Sequence, residues 1–492
     1  MAYTAFITRL KNLHKHPNAD RLQIGECFGN AVVVSMEYTD NQLGIYFPCD
    51  GKLSVEFAEA NNLLRKKDEN GNNIGGYMDP EKRNVTALKL RGEKSDGLFL
   101  PLEALKDFGD ITTLTEGMKI DVWNGHLICE KYIPRKQNRT GSVTAGNRTR
   151  KKHVPTAPLF TEHADTEQLA YNLGAFKNGD LIEISLKMHG TSQRTAYLPV
   201  FQGYASPFPW ARSVLKHIDP DRKMNWFTKK LYDAAMKTAN PVYDWGYVSG
   251  TRRVVLDNFD GGFYGSNEFR EQHSKFFEGK LLKGEEVYYE VVGFTHTGAP
   301  IMSAASNKKL NDKEFVKQYG DTTVFSYGCA PDGKKTMYGY DEEGAFALTE
   351  ACPQSEMYVY RMTMTNEDGD VVEYTPDYMR YRCEQMGVKT VQVFEKFYIP
   401  EDQLLQSSED GSPVWVPVTN PGEYVLERAE RYFDGPDPVG KTHVREGVVV
   451  RIINRPKFCA YKHKNWFFKA LEGLVKVEAD APDMEEAQDA TE

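Results

Sequence analysis

"EISLKMHGTSQRTA", Glu183 to Ala196, reads as a strand that ends in chemistry. Ile182, Ile184 and Leu186 are apolar and alternate with Glu183 and Ser185, the period-two pattern of a half-buried strand. The strand finishes on Lys187, and the chain turns at the His189-Gly190 pair. An amine is thereby presented at the edge of a cleft. Lys-x-x-Gly recurs by chance, so its meaning depends on partners elsewhere in the chain.

The chain has 492 residues, too many for one ordinary core, and suggests two or three domains. Hydrophobic residues make up 40% and charged residues 27%, as in soluble globular proteins. The net charge of −9 argues against a chain that binds nucleic acid over its whole surface, but charge is segregated. Lys131–His153 carries eight Lys or Arg and no acid, whereas Val477–Glu492 carries seven acids and no base. The basic segment is either a solvated connector or a phosphate contact, through Arg148, Arg150, Lys151 and Lys152 among others. The acidic tail reads as disordered and solvated. Seven scattered cysteines without a C-x-x-C pair argue against a zinc site or a disulfide framework and fit a reducing cytosol. No apolar run is long enough for a signal peptide or a membrane span.

Residues 1–125 read as short strands with tight turns, "TAFITRL", "RLQIGECFGNAVVVSME", "NQLGIYFPC", "VTALKLRG" and "GLFLPL", spaced as in a small barrel. A basic linker follows over 126–158. Residues 159–475 mix strands and helices as an α+β domain does, and 476–492 form the tail. Within the second domain four more stretches carry candidate chemistry. "EEVYYEVVGF" puts Glu290 inside an apolar strand, where a carboxylate is costly unless paired, hydrogen-bonded or metal-bound. "MYVYRMT" sets Tyr358 and Tyr360 on one face. "REGVVVRI" places Glu446 at the head of a buried strand. "AYKHKNWFFKALE" aims Lys462 and Lys464 the same way. Each alone is more often structural: a satisfied glutamate, a core aromatic pair, a solvated lysine edge.

Their order carries more. K-x-H-G, E-x-x-G, an aromatic strand, E-G-V-V-V and K-x-K resemble, in that sequence, the covalent nucleotidyltransferase superfamily of ATP-dependent ligases and mRNA capping enzymes. The resemblance places Lys187 on the nucleophile of motif I and Glu290 on motif III. Tyr358 and Tyr360 fall on motif IIIa, Glu446 on motif IV, and Lys462 and Lys464 on motif V. His-Gly after the nucleophile points toward RNA ligases. "HPNADRLQIGEC" and "LRGEKSDGLFLPL" resemble the tRNA-binding oligonucleotide/oligosaccharide-binding (OB) barrel. With that barrel first, the chain looks like the Deinococcus-type RNA ligases. The fold implied is an all-β OB barrel followed by an α+β ligase-type adenylation domain, unrelated to ATP-grasp. One position departs from the pattern. Ser192 stands where many relatives have an arginine, leaving Arg194, Arg252 and Arg253 as candidates for the ribose or the RNA terminus.

The resemblance implies ATP as cosubstrate, AMP carried covalently on Lys187, and Mg²⁺ or Mn²⁺ at Glu446 and Glu290. Glu183, His189, Gly190, Arg194, Arg252, Arg253, Tyr358 and Tyr360 would complete the nucleotide site. The partner implied is RNA, or a nicked duplex with an RNA 3′-OH end. Two rival readings are a nick ligase acting on DNA or mixed ends and a non-catalytic RNA-binding protein with a relic second domain. The chemistry explains the lysines. At pH 7 only about one free lysine in 2,500 is neutral, and neighbouring cations, Lys462 and Lys464 here, favour the neutral amine. Because every assigned residue lies in the second domain, that domain alone is expected to adenylate itself. The insertion Pro209–Lys237 is basic and aromatic. It either grips RNA or packs as an amphipathic insertion on Trp210, Trp226 and Phe227.

Overall fold

Two five-stranded sheets face each other behind Lys187, and the turn quoted above joins them. The computed structural model describes residues 3–66, 76–132, 156–163, 166–218, 224–252, 254–256, 259, 267–302, 310, 312–320, 324–333, 336–340, 346–405, 414–441 and 443–471. Arg148, Arg150, Lys151, Lys152, Arg253 and the acidic tail lie outside the described residues.

Residues 3–132 contribute β1 (Ala5–Arg9), β2 (Lys11–Lys15), β3 (Leu22–Cys27), β4 (Asn30–Ser35), β5 (Leu43–Phe47), β6 (Leu98–Pro101) and β7 (Lys119–Ile120). They form an antiparallel sheet β7-β1-β5-β6 and a second one β2-β3-β4. The strands fall where alternation and turn residues place them. Their hydrogen bonds do not close into a barrel among the described residues, which differs from the barrel expected.

In the remainder, the first sheet has the order β8-β17-β16-β9-β15. Its strands are β8 (Glu167–Gln168), β9 (Leu181–Lys187), β15 (Val393–Tyr398), β16 (Gly447–Ile452) and β17 (Ala460–Lys464). The second sheet has the order β11-β10-β12-β13-β14. It comprises β10 (Thr191–Ala205), β11 (Asn240–Gly250), β12 (Glu285–Gly293), β13 (Ser355–Thr365) and β14 (Val371–Glu373). Period two divides β9 and β16 cleanly. Ile182, Ile184, Val448, Val450 and Ile452 share a buried core with Val425 and Ala429 of the helix Pro421–Glu430. Glu183, Ser185, Lys187, Val449 and Arg451 turn the other way, into a cavity between the sheets.

Gly190, at the crossover, lies so close to β12 that a Cβ there would sit 2.4 Å from the Val291 carbonyl oxygen. The N-terminal part is docked, not tethered. Tyr171 packs on Phe6 and Phe28 with centroids 4.7 and 5.3 Å away, and Lys469 and Lys89 pair across the junction with Asp96 and Asp312. Burial pushes Lys469 down, but Asp96 holds it above its ordinary value.

Buried His273 and half-buried His463 set an acid limit. Burial pushes His463 down to about 3 and His273 to about 4. Below about pH 6.5 the unfolded chain takes up protons that these folded imidazoles refuse, so stability is full above that pH and falls by a few kcal/mol toward about pH 4. Thermal midpoints across that range check this; a midpoint flat from pH 7 to 4 would contradict it.

Candidate active site

Three strands lie in register across the cleft floor. Lys187 is opposite Gly447, which is opposite Lys464; Ser185, Val449 and Lys462 form the next row, and Glu183, Arg451 and Ala460 the third. Gly447 contributes no side chain between the two lysines, and the carboxylate of the preceding Glu446 occupies that gap. Glu446 Oε1 lies 3.0 Å from Lys187 Nζ and 3.4 Å from Lys464 Nζ. Its other oxygen, Oε2, is 3.7 Å from His189 Nδ1. Glu446 is buried. Burial pushes its carboxyl upward, but Lys187, Lys464 and His189 outweigh burial and hold it below its ordinary value. It therefore stays ionised well into acid, and the ion cluster is lost only as pH falls through that depressed value.

Gly447 is required by this row. Its φ is +149°, and a Cβ would lie 2.1 Å from the His463 carbonyl oxygen. Gly447→Ala is expected to cost at least about 2 kcal/mol and to displace Glu446. A denaturant midpoint equal to wild type would refute this.

Lys187 stands where two cavities meet. The smaller, ≈ 110 Å³, is lined by Glu183, Lys187, Ser192, Arg252, Glu290 and Tyr360, with Met379, Val391, Arg451 and Phe458. The larger, ≈ 400 Å³, holds Lys187, His189, Gly190, Arg252, Glu290, Glu446, Lys462 and Lys464. One wall of the larger cavity comes from the N-terminal part: Phe6, Cys49, Asp50, Lys119 and Lys131. The larger cavity is therefore not built from the second part alone. A chain beginning at Val154 would also uncover Tyr171 and Lys469. It is expected to melt at lower temperature than the full chain; an equal melting temperature would show the contact to be inert.

Other expected residues are placed as follows. The His189 backbone N–H donates to Tyr327 Oη at 2.7 Å, and its ring packs edge-on to Phe325 and Phe468. Glu183 pairs with Arg380 at 2.8 Å. Tyr360 and Tyr358 part company. Tyr360 is the extra residue at a bulge, since Val359 pairs with Tyr289 and Arg361 with Tyr288. Its hydroxyl shares hydrogen bonds with Ser192 Oγ at 3.1 Å and His163 Nε2 at 3.3 Å, whereas Tyr358 is buried in the apolar core beside Leu186 and Met188. Tyr358 therefore lines neither cavity. Arg194 does not reach them either. It is buried, donates to Glu286 at 2.9 Å and to the Thr251 carbonyl at 2.9 Å, and stacks on Phe160. It is held in an ion pair and lines neither cavity.

Several residues were missed by sequence reasoning. His163 Nδ1 accepts from Arg361 Nη1 at 2.8 Å, which leaves the ring proton on Nε2, facing Tyr360 Oη at 3.3 Å. Glu373 ties Arg361 to Arg451, each 2.8 Å away. Buried Arg270 donates to Thr191 Oγ1 at 2.6 Å and to the Ser192 carbonyl at 3.1 Å, holding the start of β10. Arg451 was findable, because it sits two residues beyond Val449 on the cleft face. His163, Arg270 and Arg380 carry no local pattern.

A divalent cation fits beside Glu446. Its buried Oε2 accepts no hydrogen bond among the described residues. No group of three or more His, Cys, Asp or Glu there forms a complete metal site, so phosphate and water oxygens would supply the remaining ligands.

No protein-family model matches the chain, and no curated protein matches it. Among solved structures the chain is similar to Naegleria gruberi RNA ligase. A variant with ATP and Mn is 14% identical over 98% of this chain and 100% of that one, with a TM-score of 0.48. The form with PPi is 13% identical over 97% and 99%, with a TM-score of 0.48. A variant with AMP and Mn is 14% identical over 97% and 99%, with a TM-score of 0.47. A likeness of that size carries no chemical meaning by itself.

Proposed function

We propose that this chain is an ATP-dependent RNA ligase that joins 3′-OH and 5′-phosphate ends through lysyl-AMP and adenylated RNA. The observation that carries the reading is the pair Lys187 and Lys464 flanking one buried Glu446 oxygen at the junction of a small and a large cavity. The small cavity suits adenosine, with the Tyr360 ring and the Met379, Val391 and Phe458 side chains for the base. The large cavity, with Lys462, Lys464, Lys119 and Lys131, suits the polyphosphate.

Lys187 Nζ attacks the α-phosphorus, the bond to the bridging oxygen breaks, and pyrophosphate leaves. The amine must first lose its proton, and Glu446 at 3.0 Å opposes that loss while the cation at Lys464 favours it. Glu446 would hold a divalent cation, which would supply charge neutralisation at the phosphates and offset the carboxylate's pull on the ammonium. The RNA 5′-phosphate then attacks the lysyl-AMP phosphorus and displaces the amine, and a 3′-hydroxyl finally displaces AMP.

In this reading 1–125 is an OB platform, 126–158 a basic connector, 159–475 the adenylation domain and 476–492 a solvated tail. The two small antiparallel sheets support the platform. All seven cysteines are free thiols, which supports a reducing compartment, the cytoplasm. No helix among the described residues is long and apolar enough to cross a membrane.

The test is incubation with ATP labelled at the α-phosphate and Mg²⁺ or Mn²⁺. Acid-resistant label on the protein is expected, followed by sealing of nicked substrates with an RNA 3′-OH. Absence of the adduct would defeat the reading; sealing of all-DNA nicks alone would shift it to a DNA ligase.

A further inference from the structure

Of the two readings of the insertion, packing on Trp210, Trp226 and Phe227 does not fit the structure. Strands β10 and β11 pair from Arg194 with Gly250 out to Ala205 with Asn240 and carry α1 (Pro209–His217) and α2 (Trp226–Met236) at their far end. There Trp226 is 71% exposed, Phe227 68%, Phe208 50% and Trp210 48%. The aliphatic side chains Val214, Leu215 and Leu231 are turned partly inward, and Ala211 and Ala235 are fully buried. Among the large apolar side chains of the two helices, only the rings of Trp210, Trp226 and Phe227 are exposed. A lipid-inserting helix would present its aliphatic residues as well, so this surface selects for flat ligands. Its charge agrees: Arg212, Lys216, Lys229 and Lys230 are exposed around the rings, with Asp233 the lone acid among the described residues of the two helices. Lys230 Nζ lies 4.3 Å over the Trp226 ring.

Flat rings interleaved with cations match a polyanion that bears unpaired bases. We propose that this tip binds an unpaired RNA strand, with bases stacked on Trp226 and Phe227 and phosphates on Lys229 and Lys230. The proposal rests on the ligase reading for its biological sense. It adds a measure of distance. Fourteen steps of strand at about 3.3 Å put the tip roughly 45 Å along β10 from the turn beside Lys187. At ~3.4 Å per nucleotide, the per-strand rise of a stacked duplex, that distance corresponds to at most about a dozen nucleotides, fewer where the unpaired strand is extended. The tip would therefore hold the strand well away from the break and favour substrates with an unpaired extension.

The test compares a nicked RNA duplex with and without an unpaired tail of about 20 nucleotides, a length set by that distance. The wild-type chain should bind the tailed form at least ~10-fold more tightly, the scale of one lost stacking contact, and W226A/F227A should remove the difference. K229A/K230A should make the salt dependence of tail binding shallower by about 1.4 in log–log slope, at ~0.7 per single-strand contact. Equal affinities in the wild type, or a tail effect that survives in W226A/F227A, would overturn the proposal. So would an aromatic pair needed for cosedimentation with phosphatidylserine vesicles but not for tail binding. Lysyl-AMP formation is read on the same samples. A tail effect without the adduct would keep this site and remove the ligase reading; the adduct without a tail effect would do the reverse.

Discussion

Lys187→Ala is expected to abolish the protein-bound AMP adduct while leaving the chain folded. No other amine among the described residues is placed to replace it in the same way. Lys464 is separated from Lys187 by the Gly447 strand and lies on the far side of the Glu446 carboxylate, and Lys462 is one row away. Arginine at 187 would fail equally, because it does not deprotonate in proteins. The variant should still seal a pre-adenylated 5′ end, since that last step forms no bond to the amine. The side chain is half-buried at the cavity junction and packs in neither main core, so folding should survive. Intrinsic-fluorescence melting controls for it. An undiminished adduct in the variant would remove Lys187 from the mechanism.

Glu446→Ala and Lys464→Ala are each expected to slow adenylation by at least ~10²-fold, the scale of losing one electrostatic group from a preorganised site. The two should differ in character. Glu446→Ala leaves Lys187, Lys464 and His189 facing one another without the carboxylate. It removes the proposed seat of the cation, so raising Mg²⁺ or Mn²⁺ should not restore the rate. Lys464→Ala leaves Glu446 paired to Lys187 alone, which favours the ammonium, so its rate should recover in part as pH rises. Exposed Glu103→Ala, in the N-terminal part, serves as the control and should be near wild type. Losses under ~10-fold with normal melting would mean that these residues do not face the reacting phosphates.

What was legible in the sequence was periodic. The alternation from Ile182 to Lys187 put the amine on the cleft face. Lys462 and Lys464 were assigned one face by the same rule, and both line the large cavity. What was misjudged depended on partners far along the chain. Arg194 had the right type and near-right spacing for a nucleotide contact, but Glu286, 92 residues on, claims its guanidinium. Tyr358 and Tyr360 obey period two, yet a bulge in β13 sends one toward His163 while the other stays in the core. The insertion's rings left packing and RNA grip both open; nothing local told that Ala211 and Ala235 would be buried and the rings exposed.

By itself, then, the sequence determined which side chains of β9, β16 and β17 share a face, because a pleat alternates whatever surrounds it. The order of lysine, glutamate and lysine along the chain was equally plain. Only the tertiary structure decided that these become one site. The register of strands some 260 residues apart brings Lys187, Gly447 and Lys464 into one row. A carboxylate can fill that row only because the middle residue lacks a Cβ. The N-terminal wall of the large cavity was likewise invisible to the pattern, since docking through Tyr171, Asp96 and Lys469 buries residues whose neighbours in sequence say nothing about each other.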